Sequence, residues 1–139
     1  MSSLTAIDHV GIAVDDLEVA VEHYRRTLGV RPILRERVAD QGAEEVLFAA
    51  GGSYIQLLGA LAPDTPVGRF LATSGPGIHH VAYRVTDIAS TLDQLRGEQV
   101  RLIDEVPRLG SRNTLIAFVH PKSMGGVLVE LVQEGWRPS

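Results

Sequence analysis

The sequence contains no cysteine. That excludes disulfides and thiolate metal sites, so any metal would have to be held by nitrogen and oxygen. It has no apolar run near the ~20 residues that a membrane-spanning helix requires, and no membrane role is expected. There is no excess of basic residues: 13 Lys and Arg against 17 Asp and Glu give a formal net charge of −4, with the signs interspersed. Counterion-driven nucleic-acid binding needs a basic stripe, so no nucleic-acid partner is expected, although local basic clusters could still meet a phosphorylated small molecule. The start, Met1-Ser2-Ser3-Leu4, lacks a basic region followed by an apolar one. No signal peptide is therefore expected, and a cytoplasmic location follows by default.

What is present is an internal repeat. Ala6-Ile7-Asp8-His9-Val10-Gly11-Ile12-Ala13-Val14-Asp15-Asp16-Leu17 returns at an offset of 71 as Gly77-Ile78-His79-His80-Val81-Ala82-Tyr83-Arg84-Val85-Thr86-Asp87-Ile88. Such self-similarity marks a duplicated module. In both copies alternating apolar positions give way to an acidic cap and then to helical spacing, the pattern of a strand running into a helix. A period of two places His9, Gly11 and Ala13 on one face and Val10, Ile12 and Val14 on the other; in the second copy His80, Ala82 and Arg84 oppose Val81, Tyr83 and Val85. His80, not His79, is thus the counterpart of His9. Each histidine is followed on its own face by a very small residue, which leaves space above the sheet for a ligand.

At 139 residues and 45% hydrophobic content, the chain is one ordinary globular domain, 1–139, built of two half-sized modules. Module one is expected over about 5–60, a linker over about 61–76 and module two over about 77–133. Asp15 or Asp16 caps a helix with Leu17, Ala20, Val21, Tyr24 and Leu28 at helical spacing, ended by Gly29. His23, on its other face, reads as a solvated histidine. A strand is expected over Ile33 to Val38, and a hairpin from Glu44–Ala50 and Ser53–Leu58 around Gly51-Gly52. That turn pairs Leu47 with Gln56 and puts Glu45 on the same face one step away. The linker carries Pro63, Pro66, Gly68, Gly75, Pro76 and Gly77 around Val67, Phe70 and Leu71, with room for one helical turn. In the second copy Ile88, Leu92 and Leu95 give a helix stopped by Gly97. Val100 to Val106 follows as a short strand, and Thr114–Val119 with Val127–Leu131 as a closing hairpin.

Gln56 and Glu130 interrupt the apolar closing strands of the two copies and correspond at an offset of 74, the longer second hairpin absorbing the difference. A glutamine facing water is a common fate for a strand residue. A carboxylate in a buried strand is costly unless paired or metal-bound, so Glu130 is the more informative of the two. Together His9, His80, Gln56 and Glu130 offer two imidazoles, an amide oxygen and a carboxylate, a shell suited to a divalent cation.

The repeated strand-helix-three-strand module resembles the vicinal oxygen chelate (glyoxalase-like) superfamily and, within it, the methylmalonyl-CoA epimerase family. The resemblance spans Ile7 to about Gln133. It is carried by Asp8-His9-Val10-Gly11-Ile12-Ala13-Val14, by Gly77-Ile78-His79-His80-Val81-Ala82-Tyr83-Arg84-Val85, and by Phe118-Val119-His120-Pro121-Lys122-Ser123 followed by Gly126-Val127-Leu128-Val129-Glu130-Leu131. It implies an α+β fold of two tandem βαβββ modules forming one curved eight-stranded mixed sheet around a metal, helices outside. It also implies the metal ligands His9, Gln56, His80 and Glu130, with Glu45 at the place of a catalytic base and Glu130 as the second acid/base. Glu44 stands beside Glu45, but the face reading favours Glu45. Lys122, in the loop by the site, is implied to meet the phosphates of coenzyme A, with Arg112 and Arg69 as further candidates.

The activity implied is interconversion of (2R)- and (2S)-methylmalonyl-CoA, by removing the α-proton and returning it to the other face through a metal-stabilised enolate. Chelation of an acyl-CoA thioester needs two open positions beside four protein ligands. Six-coordination favours cobalt, nickel or manganese over closed tetrahedral zinc, and of these cobalt is the ion expected. The family suggests a homodimer. Three rival readings share the fold: a glyoxalase I-type isomerase, an extradiol iron dioxygenase with His9, His80 and Glu130 as its triad, and a metal-free drug-binding protein. Gln56 argues against the dioxygenase, as a fourth ligand fills a position needed for catechol and oxygen. Four matched polar ligands argue against the drug-binding protein.

Overall fold

The computed structural model describes residues 4–135. In chain order the elements are β1 (Leu4–Val14), α1 (Leu17–Leu28), β2 (Pro32–Val38), β3 (Ala43–Ala50), β4 (Ser53–Ala60), α2 (Pro66–Ser74), β5 (Gly77–Val85), α3 (Ile88–Gly97), β6 (Arg108–Leu109), β7 (Leu115–Val119) and β8 (Val129–Gln133). The strands are hydrogen-bonded in the order β2-β3-β4-β1-β5-β8-β7-β6, the eight-stranded mixed sheet expected. Two compact units are present, one of His9–His79 and one of the residues up to Asp8 with those from His80 onward. Among the described residues no helix is long and apolar enough to cross a membrane.

In the unit of His9–His79, α1 begins where Asp16 accepts a hydrogen bond from the Val19 amide at 3.1 Å. It ends at Gly29, whose φ of 69° is open to glycine at little cost. Leu17 is buried with Val46, Phe48 and Leu57, and Ala20, Val21 and Tyr24 pack against them. Tyr24 stacks on Phe48 with ring centroids 5.6 Å apart. Burying side chains of this size contributes about 1.5–3 kcal/mol each. Leu28, expected on that face, is instead exposed at the last turn. Gly51, at φ 62°, lets a two-residue turn join β3 to β4, with Ala50 paired to Ser53.

The 61–76 stretch is more ordered than its proline and glycine content suggests. Thr65 caps α2 by accepting from the Gly68 amide, and Pro66 occupies the first turn, where a missing N–H costs nothing. Val67 is buried with Ala13, Ala43 and Leu58, and Phe70 and Leu71 pack against that cluster. Gly68 serves close approach rather than chain breaking: a Cβ there would lie 2.4 Å from the Ala62 carbonyl oxygen.

In the second unit Asp87 caps α3, and Ile88 and Leu92 are buried with Val85, Ala117, Val119, Val129 and Leu131. The strand expected over Val100 to Val106 does not form. The Asp104 carboxylate takes the Phe118 amide at 2.8 Å, and the Phe118 carbonyl accepts from both Ile103 and Asp104. Among the described residues of this stretch Leu102 makes a bridge, to Val119, and β6 pairs with β7 just beyond it. Asp8, fully buried, holds Arg84 at 2.9 Å and Arg112 at 2.7 Å. A buried carboxylate needs such partners to offset its desolvation.

Candidate metal centre

Each unit builds its polar group from the same register. In the first, parallel pairing of β1 and β4 sets Gly11 opposite Gln56, and the β3–β4 hairpin sets Leu47 opposite Gln56, the partner expected from its turn. In the second, β5 and β8 set Ala82 opposite Glu130, and β7 sets Phe118 opposite Glu130. Gly11 and Ala82, like Leu47 and Phe118, are related by the offset of 71 found in the repeat. The duplication therefore extends beyond sequence to the hydrogen-bond ladder, and it places Gln56 and Glu130 at equivalent positions.

All four ligand candidates are buried: His9 is 4% exposed, Gln56 6%, His80 2% and Glu130 5%. The reading of Gln56 as a water-facing residue is thereby excluded, as is an outward position for Glu130. In the first unit Gln56 Nε2 donates to Glu45 Oε2 at 2.5 Å. A carboxylate only accepts, so this bond orients the amide with Oε1 turned elsewhere. Gln56 Oε1 is buried and has no hydrogen-bond partner. Such an atom carries a desolvation cost that a cation would relieve.

In the second unit His80 Nε2 lies 3.0 Å from Glu130 Oε1. The His80 ring meets Phe118 edge-on at 5.6 Å, and the Arg108 guanidinium covers the Phe118 ring at 5.6 Å. Phe118 thus fixes the imidazole from the strand next to the one that carries Glu130. The donor set, nitrogen and oxygen only and held in buried strands, fits a divalent ion of intermediate hardness.

The two neighbouring acids have different surroundings. Glu45 is 2% exposed and bonded to Gln56. Glu44 bonds Arg35 at 3.0 Å, and this hydrogen bond holds its carboxyl below the usual carboxylate range. Arg35 also pairs with Glu18.

The phosphate candidates separate too. Lys122 is exposed in a single 3₁₀ turn, Pro121–Ser123, whose start is capped by His120 Nδ1 accepting from the Lys122 amide at 3.1 Å. Burial, with Arg101 and Lys122 nearby, holds the His120 imidazole below its ordinary pKa. Arg112 is engaged by Asp8, and Arg69 donates to the Asp64 carbonyl at 2.5 Å. The Asp8 cluster is the polar group that sequence reading missed. Its members are 76 and 104 residues from Asp8, so no local pattern connects them.

Comparison with known proteins gives the family. Residues 8–118 match the family described as the Glyoxalase/Bleomycin resistance protein/Dioxygenase superfamily. The chain is 36% identical over 129 residues to the ethylmalonyl-CoA/methylmalonyl-CoA epimerase of Cereibacter sphaeroides, covering 91% of this chain and 96% of that protein. It is similar to the crystal structure of methylmalonyl-CoA epimerase from Mycobacterium tuberculosis, with 43% identity, a TM-score of 0.91, and coverage of 96% of this chain and 90% of that one. A methylmalonyl-CoA epimerase solved in complex with methylmalonyl-CoA and NH4+ is 40% identical, with a TM-score of 0.92 and 96% of each chain covered.

Proposed function

We propose, for a chain that belongs to the Glyoxalase/Bleomycin resistance protein/Dioxygenase superfamily and within it to the methylmalonyl-CoA epimerase family, that it is an isomerase interconverting (2R)- and (2S)-methylmalonyl-CoA. The observation that carries this reading is the buried Glu45 carboxylate held by the neutral Gln56 amide. A proton on the carbon between a thioester and a carboxylate is acidic enough for a carboxylate base, provided the developing charge is stabilised.

His9, Gln56, His80 and Glu130 are proposed to hold one divalent ion. Support comes from their burial, from the matched registers of Gln56 and Glu130, and from the partnerless Gln56 Oε1. When bound, the ion supplies Lewis-acid stabilisation of the negative charge that develops on the thioester oxygen. Two open positions for the substrate beside four protein ligands imply six-coordination, which suits cobalt, nickel or manganese; cobalt is the ion proposed, with nickel, manganese or zinc as alternatives. Glu45 takes the α-proton on one face. Glu130 is the acid/base of the other face, though a carboxylate that ligates a cation is the poorer base of the two. Lys122, exposed on its turn, meets the coenzyme A phosphates. A homodimer in the cytoplasm, formed of 1–139 chains with modules of about 5–60 and 77–133, completes the proposal.

The test begins with one pure epimer of methylmalonyl-CoA and the cobalt-loaded protein, following stereochemical purity with time. Conversion to an equal mixture of epimers is expected. A protein that leaves the epimer intact but isomerises the glutathione hemithioacetal of methylglyoxal would be a glyoxalase, and the proposal would be withdrawn.

A further inference from the structure

We infer that Gln56 is a positioning residue for Glu45, one side chain that offers Oε1 to the ion and holds the base through Nε2. This rests on the function proposed above, but the observation behind it lies within the first unit alone. Nε2 is 2.5 Å from Glu45 Oε2, while Oε1, on the same rigid amide plane, is buried and without a partner. Fixing one end of the amide therefore fixes the other. A displacement of the ion and a displacement of the base are mechanically linked.

The duplication supplies an internal control. Gln56 is equivalent to Glu130 by register, and Glu45, paired with Leu58, is equivalent to Ile116, paired with Val132. Where the ligand position has a carboxylate beside it, the ligand is an amide. Where that neighbour is isoleucine, buried at 3% exposure, the ligand is itself a carboxylate. Physical chemistry explains the exchange. Two buried carboxylates side by side repel and would force a proton onto one of them. Isoleucine makes no such demand, and Glu130 instead faces the His80 imidazole at 3.0 Å. Glutamine is an uncharged side chain that donates to a carboxylate through its nitrogen while its separate oxygen remains free to ligate. The amide at 56 thus serves the base as much as the metal.

The test uses Gln56→Glu, which keeps a ligand oxygen and replaces the donor by an acceptor, with the exchanged pair Glu45→Gln/Gln56→Glu beside it. Three quantities are read: cobalt binding by titration calorimetry, the thermal midpoint of the metal-free protein, and α-proton exchange from each epimer. Gln56→Glu should still bind one cobalt per chain, yet lose about a hundredfold in kcat with KM unchanged, the usual result of misplacing a group by an ångström. The loss should fall more heavily on one epimer, the same one that Glu45→Gln affects. A merely structural role would slow both epimers alike, and that result would overturn the inference, as would wild-type turnover in the cobalt-loaded variant. The metal-free Gln56→Glu protein should melt below wild type and the exchanged pair should recover the midpoint, since it restores one donor facing one acceptor. If Gln56→Glu fails to fold, recovery in the exchanged pair alone supports the bond; an exchanged pair no more stable than Gln56→Glu overturns it. Should wild type exchange no α-proton at all, the function proposed above falls. The metal-free melting series would still read the Gln56–Glu45 bond by itself.

Discussion

His80 Nε2 and Glu130 Oε1 are 3.0 Å apart, and both side chains are at least nine-tenths buried. A carboxylate in this position holds the imidazole in the metal-free protein and is available to a cation. Glu130→Gln and Glu130→Ala should therefore lower metal affinity together with turnover, the affinity by roughly ten- to a hundredfold or more. Calorimetric titration with cobalt checks the first effect. Glu130→Ala should also destabilise the metal-free protein by on the order of 1–3 kcal/mol, because His80 loses a buried partner. A urea unfolding curve reads that loss.

Glu45→Gln should separate from Glu130 in the same assays. Its amide preserves size but cannot accept a proton, so cobalt should remain bound while turnover falls by roughly two to four powers of ten. Exchange into solvent should become unequal for the two epimers, because Glu45 serves one face. Wild-type rates for both epimers would move the base elsewhere.

Glu44→Gln is the contrasting neighbour. Its carboxyl is bonded to Arg35, so turnover should stay within about twofold of wild type, the range of an exposed surface change. The bond also carries a pH signature. Because Glu44 titrates below its usual 4.5 in the folded protein, its stabilising effect is present above that value and is lost as the pH falls through the lowered folded pKa. Urea midpoints for wild type and Glu44→Gln should therefore converge on acidification below about pH 4.5. A gap unchanged down to pH 2 would contradict the assignment.

Lys122→Ala should raise KM for methylmalonyl-CoA at low salt and leave kcat near wild type. The effect should shrink as ionic strength rises, since Lys122 is exposed and its attraction to phosphate is screened within about 10 Å at 0.1 M salt. An unchanged KM at low salt would remove Lys122 from the substrate site.

The features legible in the sequence are those written locally. Asp16 and Gly29 mark the ends of α1 because caps act within one turn. Gly51-Gly52 determined the pairing of Leu47 with Gln56 because a two-residue turn leaves one register open. Equivalence of Gln56 with Glu130 could be read because the same module occurs twice. What escaped depends on distance in the chain or on competition. The α2 helix was obscured because Gly68 reads as a breaker, whereas it admits the carbonyls of Ala62 and Pro63. The strand at 100–106 was displaced because the Asp104 side chain takes the Phe118 amide. The facing of Glu45 toward Gln56 followed from alternation, but the bond between them, and the amide orientation it imposes, depend on side-chain placement that no periodicity encodes.

Proton NMR of methylmalonyl-CoA in deuterated water, with the cobalt-loaded wild-type protein, tests the central claim most directly. The expected result is that the α-proton signal disappears and the methyl doublet collapses to a singlet, for either starting epimer, while metal-free protein does so far more slowly. Retention of the α-proton signal over many hours with fully metal-loaded, folded protein would contradict an epimerase acting at that carbon.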